Sequence, residues 1–363
     1  MREIPKLRIG NVEADIPIIQ GGMSVGISLS NLASAVAREG GIGVIGGAAI
    51  GMLEPDFEKN FREANKRALK REIRKAKEKA NGKGGIGLNL LVAQSDFDGL
   101  FLTAIKEEVD LIFMGAGLPL KLPLSADELR KVHTGFVTIV SSFRAARLIF
   151  KYWANHYKRV PDAVVVEGPL AGGHLGFKKE QIFDPKYRLE NIVPQVVEVV
   201  EEYERAFNKK IPVIAAGGVY TGKDIKKLLK LGASGVQMGT RFVATHECDA
   251  APEFKEAFVK AKKEDIVIIE SPVGLPGRAI KNEFIEEASK GNKKPKRCSW
   301  KCLKPCDFKK VPYCIASALT NAKKGNLSEG FAFAGANAYR IEKIISVREL
   351  IEELIEDYLK AGD

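Results

Sequence analysis

Nowhere in these 363 residues does an apolar run approach the roughly eighteen that a membrane-spanning helix needs, so no such span is expected. Residues 1–15 mix charges with isolated apolar side chains and lack the continuous apolar stretch of a secretory signal, which points to a cytoplasmic protein. Histidine is scarce, with four residues, and the five cysteines include no CxxC pair. The basic excess of +11 has neither interleaved aromatics nor a recognised nucleic-acid motif beside it, so no nucleic-acid partner is expected. That excess is local. Residues 57–83 carry eleven Lys and Arg against four Glu, and residues 290–310 carry nine against Asp307, which leaves the rest of the chain mildly acidic. The first block, with apolar positions at Phe61, Ala64, Ala68, Leu69, Ile73 and Ala76, reads as an amphipathic helix with a solvated basic face.

What the chain does contain is a histidine among glycines. The run Ala171-Gly172-Gly173-His174-Leu175-Gly176 follows the apolar stretch Ala163–Val166, which puts one imidazole at a strand exit. Missing Cβ atoms on both sides let a flat ligand approach the backbone while His174, near neutral pKa by type, faces it as base or hydrogen-bond donor. Read alone, the hexapeptide also describes a glycine-rich turn with a solvated histidine.

Short apolar runs recur with helix-like segments between them: Ile16–Gln20, Ile42–Ile45, Ile86–Leu91, Leu111–Met114, Phe136–Val140, Ala163–Val166, Pro212–Ala215 and Gly235–Met238. Eight parallel units predict a (β/α)8 barrel, whose reactive groups sit on the loops after the strands. Those exits are rich in small residues, at Gly21-Gly22-Met23, Gly46-Gly47, Gly115-Ala116-Gly117, Gly217-Gly218 and Gly239-Thr240, and they predict a shallow basin lined by backbone. The last two exits, Gly217-Gly218 and Gly239-Thr240, offer uncommitted N–H groups where barrels commonly hold a phosphate. A barrel that binds a phosphorylated metabolite would use the same turns.

With Pro17-Ile18-Ile19-Gln20-Gly21-Gly22-Met23 at the first strand, Ala171–Gly176 after the sixth and Gln237-Met238-Gly239-Thr240 after the eighth, the chain resembles the nitronate monooxygenase (2-nitropropane dioxygenase) family. The wider family includes FMN-dependent enoyl-acyl-carrier-protein reductases. The resemblance implies an FMN-binding barrel, with Gly22 and Met23 meeting the ring through their backbone and Asn89 bonding its edge. Gly173, Gly217, Gly218, Gln237, Gly239 and Thr240 would then lie along the ribityl phosphate, Gln181 would also reach the flavin, and His174 would be the catalytic histidine. The implied reaction is oxidation of an alkyl nitronate by dioxygen to a carbonyl compound and nitrite, with His174 as base if a neutral nitroalkane is used. Leu175 stands where nitronate oxidisers often carry arginine and looks more like the reductase branch, which would require NAD(P)H and an enoyl substrate. The resemblance leaves a homo-oligomer open.

Cys298, Cys302, Cys306 and Cys314 crowd into one short segment beside Lys294-Pro295-Lys296-Arg297. They suit a loop around an iron–sulfur cluster or zinc, or else reduced, buried thiols. A non-catalytic flavin and cluster carrier rests on that loop alone. Downstream, residues 330–340 are small and apolar and are expected to close over the basin, with Gly335 and Asn337 near the flavin. The domain reading is a barrel over residues 1–262, a cysteine-containing insertion or lid over 263–340, and a C-terminal helix over 341–363. That helix carries Leu350, Ile351, Leu354, Ile355 and Leu359 on one stripe. His133, His156, His246 and Cys248 receive no role, and residues 246–248 are read as a helix start.

Overall fold

The computed structural model describes residues 4–298 and 300–362. In chain order the elements are β1 (Leu7–Ile9), β2 (Val12–Ala14), β3 (Ile18–Gln20), α1 (Ser30–Arg38), β4 (Ile42–Gly46), α2 (Phe57–Ala80), β5 (Gly85–Leu91), α3 (Phe97–Lys106), β6 (Leu111–Gly115), α4 (Ala126–Lys131), β7 (Gly135–Val140), α5 (Phe143–Tyr157), β8 (Ala163–Glu167), β9 (Gly173–His174) and α6 (Leu189–Phe207). There follow β10 (Val213–Ala216), α7 (Gly222–Lys230), β11 (Gly235–Met238), α8 (Thr240–Val243), α9 (Pro252–Lys260), β12 (Ile266–Glu270), β13 (Pro276–Ile280), α10 (Glu283–Ser289), α11 (Ile315–Lys323) and α12 (Val347–Lys360).

Eight parallel strands close in the order β10-β11-β3-β4-β5-β6-β7-β8, so all eight apolar runs become barrel strands. Alternation along each strand divides the core in two. Ile19, Val44, Phe113, Val137, Val165 and Ile214 point into the barrel, while Ile18, Ile45, Ile112, Phe136, Val164 and Val236 pack against the helices. The β1–β2 hairpin contributes Leu7, Ile9 and Ala14 to the inner cluster and so plugs the floor.

Helix α2 buries Ala64, Ala68, Leu69, Ile73 and Ala76, as its spacing predicts. Its basic face is less free than the sequence suggests: Arg67 pairs with Asp56, Arg71 with Glu54 at 2.8 Å and Arg74 with Glu107 at 2.6 Å. Helix α12 buries Val347, Leu350, Ile351 and Leu354 and comes so close to α7 that a Cβ on Gly222 would fall 2.1 Å from the Leu354 carbonyl oxygen. Leu359, expected on the buried stripe, is exposed. Residues 246 and 247 form a turn, and the helix begins instead at Pro252, where proline fits the first position because no N–H is needed there.

Beyond the barrel, β12 and β13 pair antiparallel, and β13 pairs in turn with β9, carrying His174. Ala279, Phe284, Tyr313, Ile315 and Phe331 form a separate small core under this sheet. The cysteine loop is tied to the β5–α3 turn by backbone, with Ser95 N donating to the Cys302 carbonyl at 3.0 Å and Lys304 N to the Ala93 carbonyl at 2.8 Å. No helix among the described residues is long and apolar enough to cross a membrane.

Candidate active site

Inward-facing positions of β5, β7, β8 and β11 end at the mouth of the barrel in Asn89, Ile139, Glu167 and Gln237. All four are partly exposed, whereas the layers beneath them are sealed. The Asn89, Glu167 and Gln237 side chains have no hydrogen-bond partner among the described residues, so three polar groups face the opening unspent. The backbone after β3 is pressed into this layer: a Cβ on Gly22 would lie 2.5 Å from the Asn89 Cβ, and one on Gly21 would lie 3.2 Å from the Gln237 side chain.

Two glycine turns complete one side of the rim. Gly217 and Gly218 have φ of +96° and +86°, and a Cβ on Gly218 would meet Leu170 at 2.9 Å, so only glycine fits the turn without strain. The N–H groups of Gly217, Gly218, Gly239 and Thr240 make no hydrogen bond among the described residues. Residues 330–340 fold over this rim as the sequence suggests. Gly335 N donates to Thr240 Oγ1 at 2.9 Å, Ala336 N to the Leu170 carbonyl at 3.0 Å and Asn337 Nδ2 to the Gly218 carbonyl at 2.7 Å.

His174 stands on the neighbouring loop after β8, with Nε2 2.6 Å from Ser271 Oγ and its ring edge-on to Phe333 at 5.0 Å. Burial lowers its pKa to about 4, well under the value expected from residue type, so the imidazole is neutral at pH 7. Glu167 is shifted the other way, to about 7, because its carboxyl is enclosed without a partner charge. Arg278 of β13 pairs with Gly173 across the sheet and is buried; Nη1 donates to the carbonyls of Pro169, at 2.5 Å, and Ala171, at 2.7 Å. Burial lowers the pKa of this guanidinium to about 10, which leaves it charged and clamps the loop that presents His174.

A family model described as nitronate monooxygenase matches residues 6–357. The chain belongs to the nitronate monooxygenase family. It is thereby an enzyme, an oxidoreductase of a flavin-dependent class. A probable nitronate monooxygenase of Staphylococcus aureus (strain Newman) is 29% identical over 295 residues, spanning 76% of this chain and 78% of that one. FabK from Thermotoga maritima superposes with a TM-score of 0.73 at 28% identity, covering 98% of this chain and 97% of its own. A nitroalkane oxidase from Streptomyces ansochromogenes, 21% identical, shares the fold with a TM-score of 0.71 over 96% of both chains.

For a member of the nitronate monooxygenase family, several expected contacts are already engaged elsewhere. Gln181 caps a short turn, accepting from Lys178 N at 2.8 Å and donating to the Tyr187 hydroxyl at 2.8 Å. Met23 N donates to Ser28 Oγ at 2.7 Å, and its carbonyl accepts from Ser28 N at 3.1 Å, so both of its backbone groups are engaged. Leu175 is fully buried in the core packed against the helices. Zinc or an iron–sulfur cluster is not supported either: among the described residues no three His, Cys, Asp or Glu side chains converge as metal ligands. The four thiols are free; Cys298 is exposed and accepts from Lys301 N at 3.3 Å, while burial lifts Cys302 to about 12 and raises Cys306 and Cys314. Backbone pairing to residues 93–95 holds the loop where metal ligation was expected.

Glu167, Ser271, Arg278 and Phe333 were not singled out from sequence. Glu167 was detectable as the one acid ending a barrel strand, at the inward-facing parity of an otherwise apolar run. Phe333 lies in the 330–340 segment expected over the basin, whereas Ser271 and Arg278 lie in a segment without a motif that the pairing of β9 with β13 brings to the mouth.

Proposed function

We propose that this enzyme binds FMN at the barrel mouth and oxidises alkyl nitronates with dioxygen, releasing a carbonyl compound and nitrite. The residues present fit that cofactor. The unspent N–H groups of Gly217, Gly218, Gly239 and Thr240 suit a phosphate, the unpartnered amides of Asn89 and Gln237 suit a polar ring edge, and a Cβ on Gly173 would meet nothing within 4 Å. Bound there, FMN supplies the electron transfer between substrate and dioxygen.

The observation that carries the choice of substrate is the neutral His174. An imidazole with a pKa of about 4 is a weak base toward a neutral nitroalkane, but held by Ser271 it makes a good hydrogen-bond partner for a substrate already ionised. Charged Arg278, under the Pro169–Ala171 turn, places positive potential beneath the same site and favours an anion. An enoyl-acyl-carrier-protein reductase using NAD(P)H is the second reading. It is favoured by the likeness to FabK over nearly the whole chain.

The test is direct. Purified protein should show flavin absorption and release nitrite from an alkyl nitronate in air, and His174→Ala should lose most of that activity. Reduced nicotinamide consumed with an enoyl thioester, without nitrite release from nitronates, would establish the second reading in its place.

A further inference from the structure

The chemistry proposed above leaves Glu167 without a role. Its side chain ends β8 on the inward-facing side and has no hydrogen bond or ion pair among the described residues. Strand register fixes what lies beside it. Glu167 pairs with Ala216 and Ala216 with Gln237, so across three neighbouring strands two polar side chains flank one methyl group. With strands about 4.8 Å apart, the Glu167 and Gln237 Cα atoms stand roughly 10 Å from each other, and a gap opens over Ala216 between their side chains. Gly217 and Gly218, whose N–H groups are free, follow Ala216 directly. A Cβ on Gly217 would lie 2.9 Å from the Gly168 carbonyl oxygen, so the glycine turn presses against the residue after Glu167. No cation relieves the acid. In the same layer β7 contributes Ile139 and β10 Ala216, and α6 packs Leu189 behind Gly168, none of them ionisable. His174 is neutral at pH 7, Arg278 is bound to the Pro169 and Ala171 carbonyls, and Arg340 of the covering segment lies 4.0 Å over the Tyr220 ring.

We propose that Glu167 holds FMN as a protonated acid, its carboxyl meeting a hydroxyl of the ribityl chain over Ala216, so that retention of the cofactor is coupled to proton uptake. The inference rests on FMN occupying the barrel mouth. With phosphate in the glycine turns and the ring edge at the amides, the polyol chain that joins them crosses the gap over Ala216. A neutral carboxyl both donates to and accepts from a hydroxyl, whereas a carboxylate only accepts and repels the nearby phosphate. Burial without a partner raises the Glu167 pKa to about 7, so the protonated form is available at neutral pH, and a phosphate close by pushes the same way.

The test reads cofactor binding, not turnover. FMN is titrated into the full-length protein, washed free of flavin, and binding is followed by quenching of flavin fluorescence from pH 6 to 8.5. The parent is compared with Glu167→Gln at each pH, which cancels the titration of the phosphate itself at about pH 6. The ratio of the parent Kd to the Glu167→Gln Kd should rise about tenfold or more between pH 6.5 and 8.5. In weak buffer at pH 8, FMN binding should draw protons from solution with the parent and none with Glu167→Gln. A pH dependence of Kd that is the same in both proteins, or no proton uptake by the parent, overturns this inference and leaves the cofactor assignment standing. FMN that fails to bind the parent at any pH would overturn both.

Discussion

Two ionisable groups at the barrel mouth are shifted in opposite directions by the same cause, and the opposition can be measured. His174 is lowered from 6.5 to about 4, so between those values the unfolded chain binds more protons and stability rises with pH. Glu167 is raised from 4.5 to about 7, so across that window the folded chain holds more protons and stability falls as pH rises. Each contributes about 1.4 kcal/mol per pH unit within its window, and between pH 4.5 and 6.5 the two slopes cancel. Replacing Glu167 with Gln removes one slope. Relative to the parent protein, Glu167→Gln should gain about 2 to 3 kcal/mol of stability on going from pH 5 to pH 7. His174→Asn should show the reverse, losing up to about 3 kcal/mol relative to the parent between pH 4 and 6.5. The assay is urea unfolding of all three proteins across pH 4–7.5, read as differences so that every other titrating group drops out. A Glu167→Gln curve that runs parallel to the parent curve would show that the carboxyl is not raised, and the account of an enclosed, unpartnered acid at the mouth would be wrong.

Three further outcomes follow from contacts at the same site. Arg278→Met should lower stability by about 2 to 4 kcal/mol, because the Pro169 and Ala171 carbonyls lose their buried charged donor, and thermal denaturation with turnover on the same samples checks it. Gly218→Ala forces a side chain into left-handed backbone 2.9 Å from Leu170; it should cost about 1 to 3 kcal/mol and reduce the flavin retained through gel filtration at least severalfold. Ser271→Ala frees the His174 ring and should lower kcat/KM for the nitronate about tenfold with the fold intact, as steady-state nitrite release and circular dichroism would show.

The barrel was legible because each strand is a short run of β-branched or apolar residues, and such runs find no stable place except in a sheet covered on both faces. The turn at Gly217 and Gly218 was legible because it needs a backbone conformation that only glycine adopts easily. What stayed hidden depends on competition between partners. Nothing local in the sequence shows that the Gln181 amide is used by Lys178 and Tyr187, or that Met23 is held by Ser28. The four cysteines read as ligands because thiols so close in sequence are uncommon, but their loop is fixed by main-chain pairing, which leaves no trace in side-chain identity. The environment of His174 was the least accessible feature, since Ser271 lies 97 residues away and reaches it through a strand of two residues.

That short strand has a consequence for biosynthesis. The eighth barrel strand is complete once residue 238 has been made, yet the segment bearing His174 acquires its main-chain partner only when residues 276–280 emerge. A nascent chain can therefore close its barrel well before His174 is seated, and the finished mouth is among the last features formed during translation. For the same reason, a fragment ending between β11 and β12 would hold every barrel strand but lack the strand that pairs with His174.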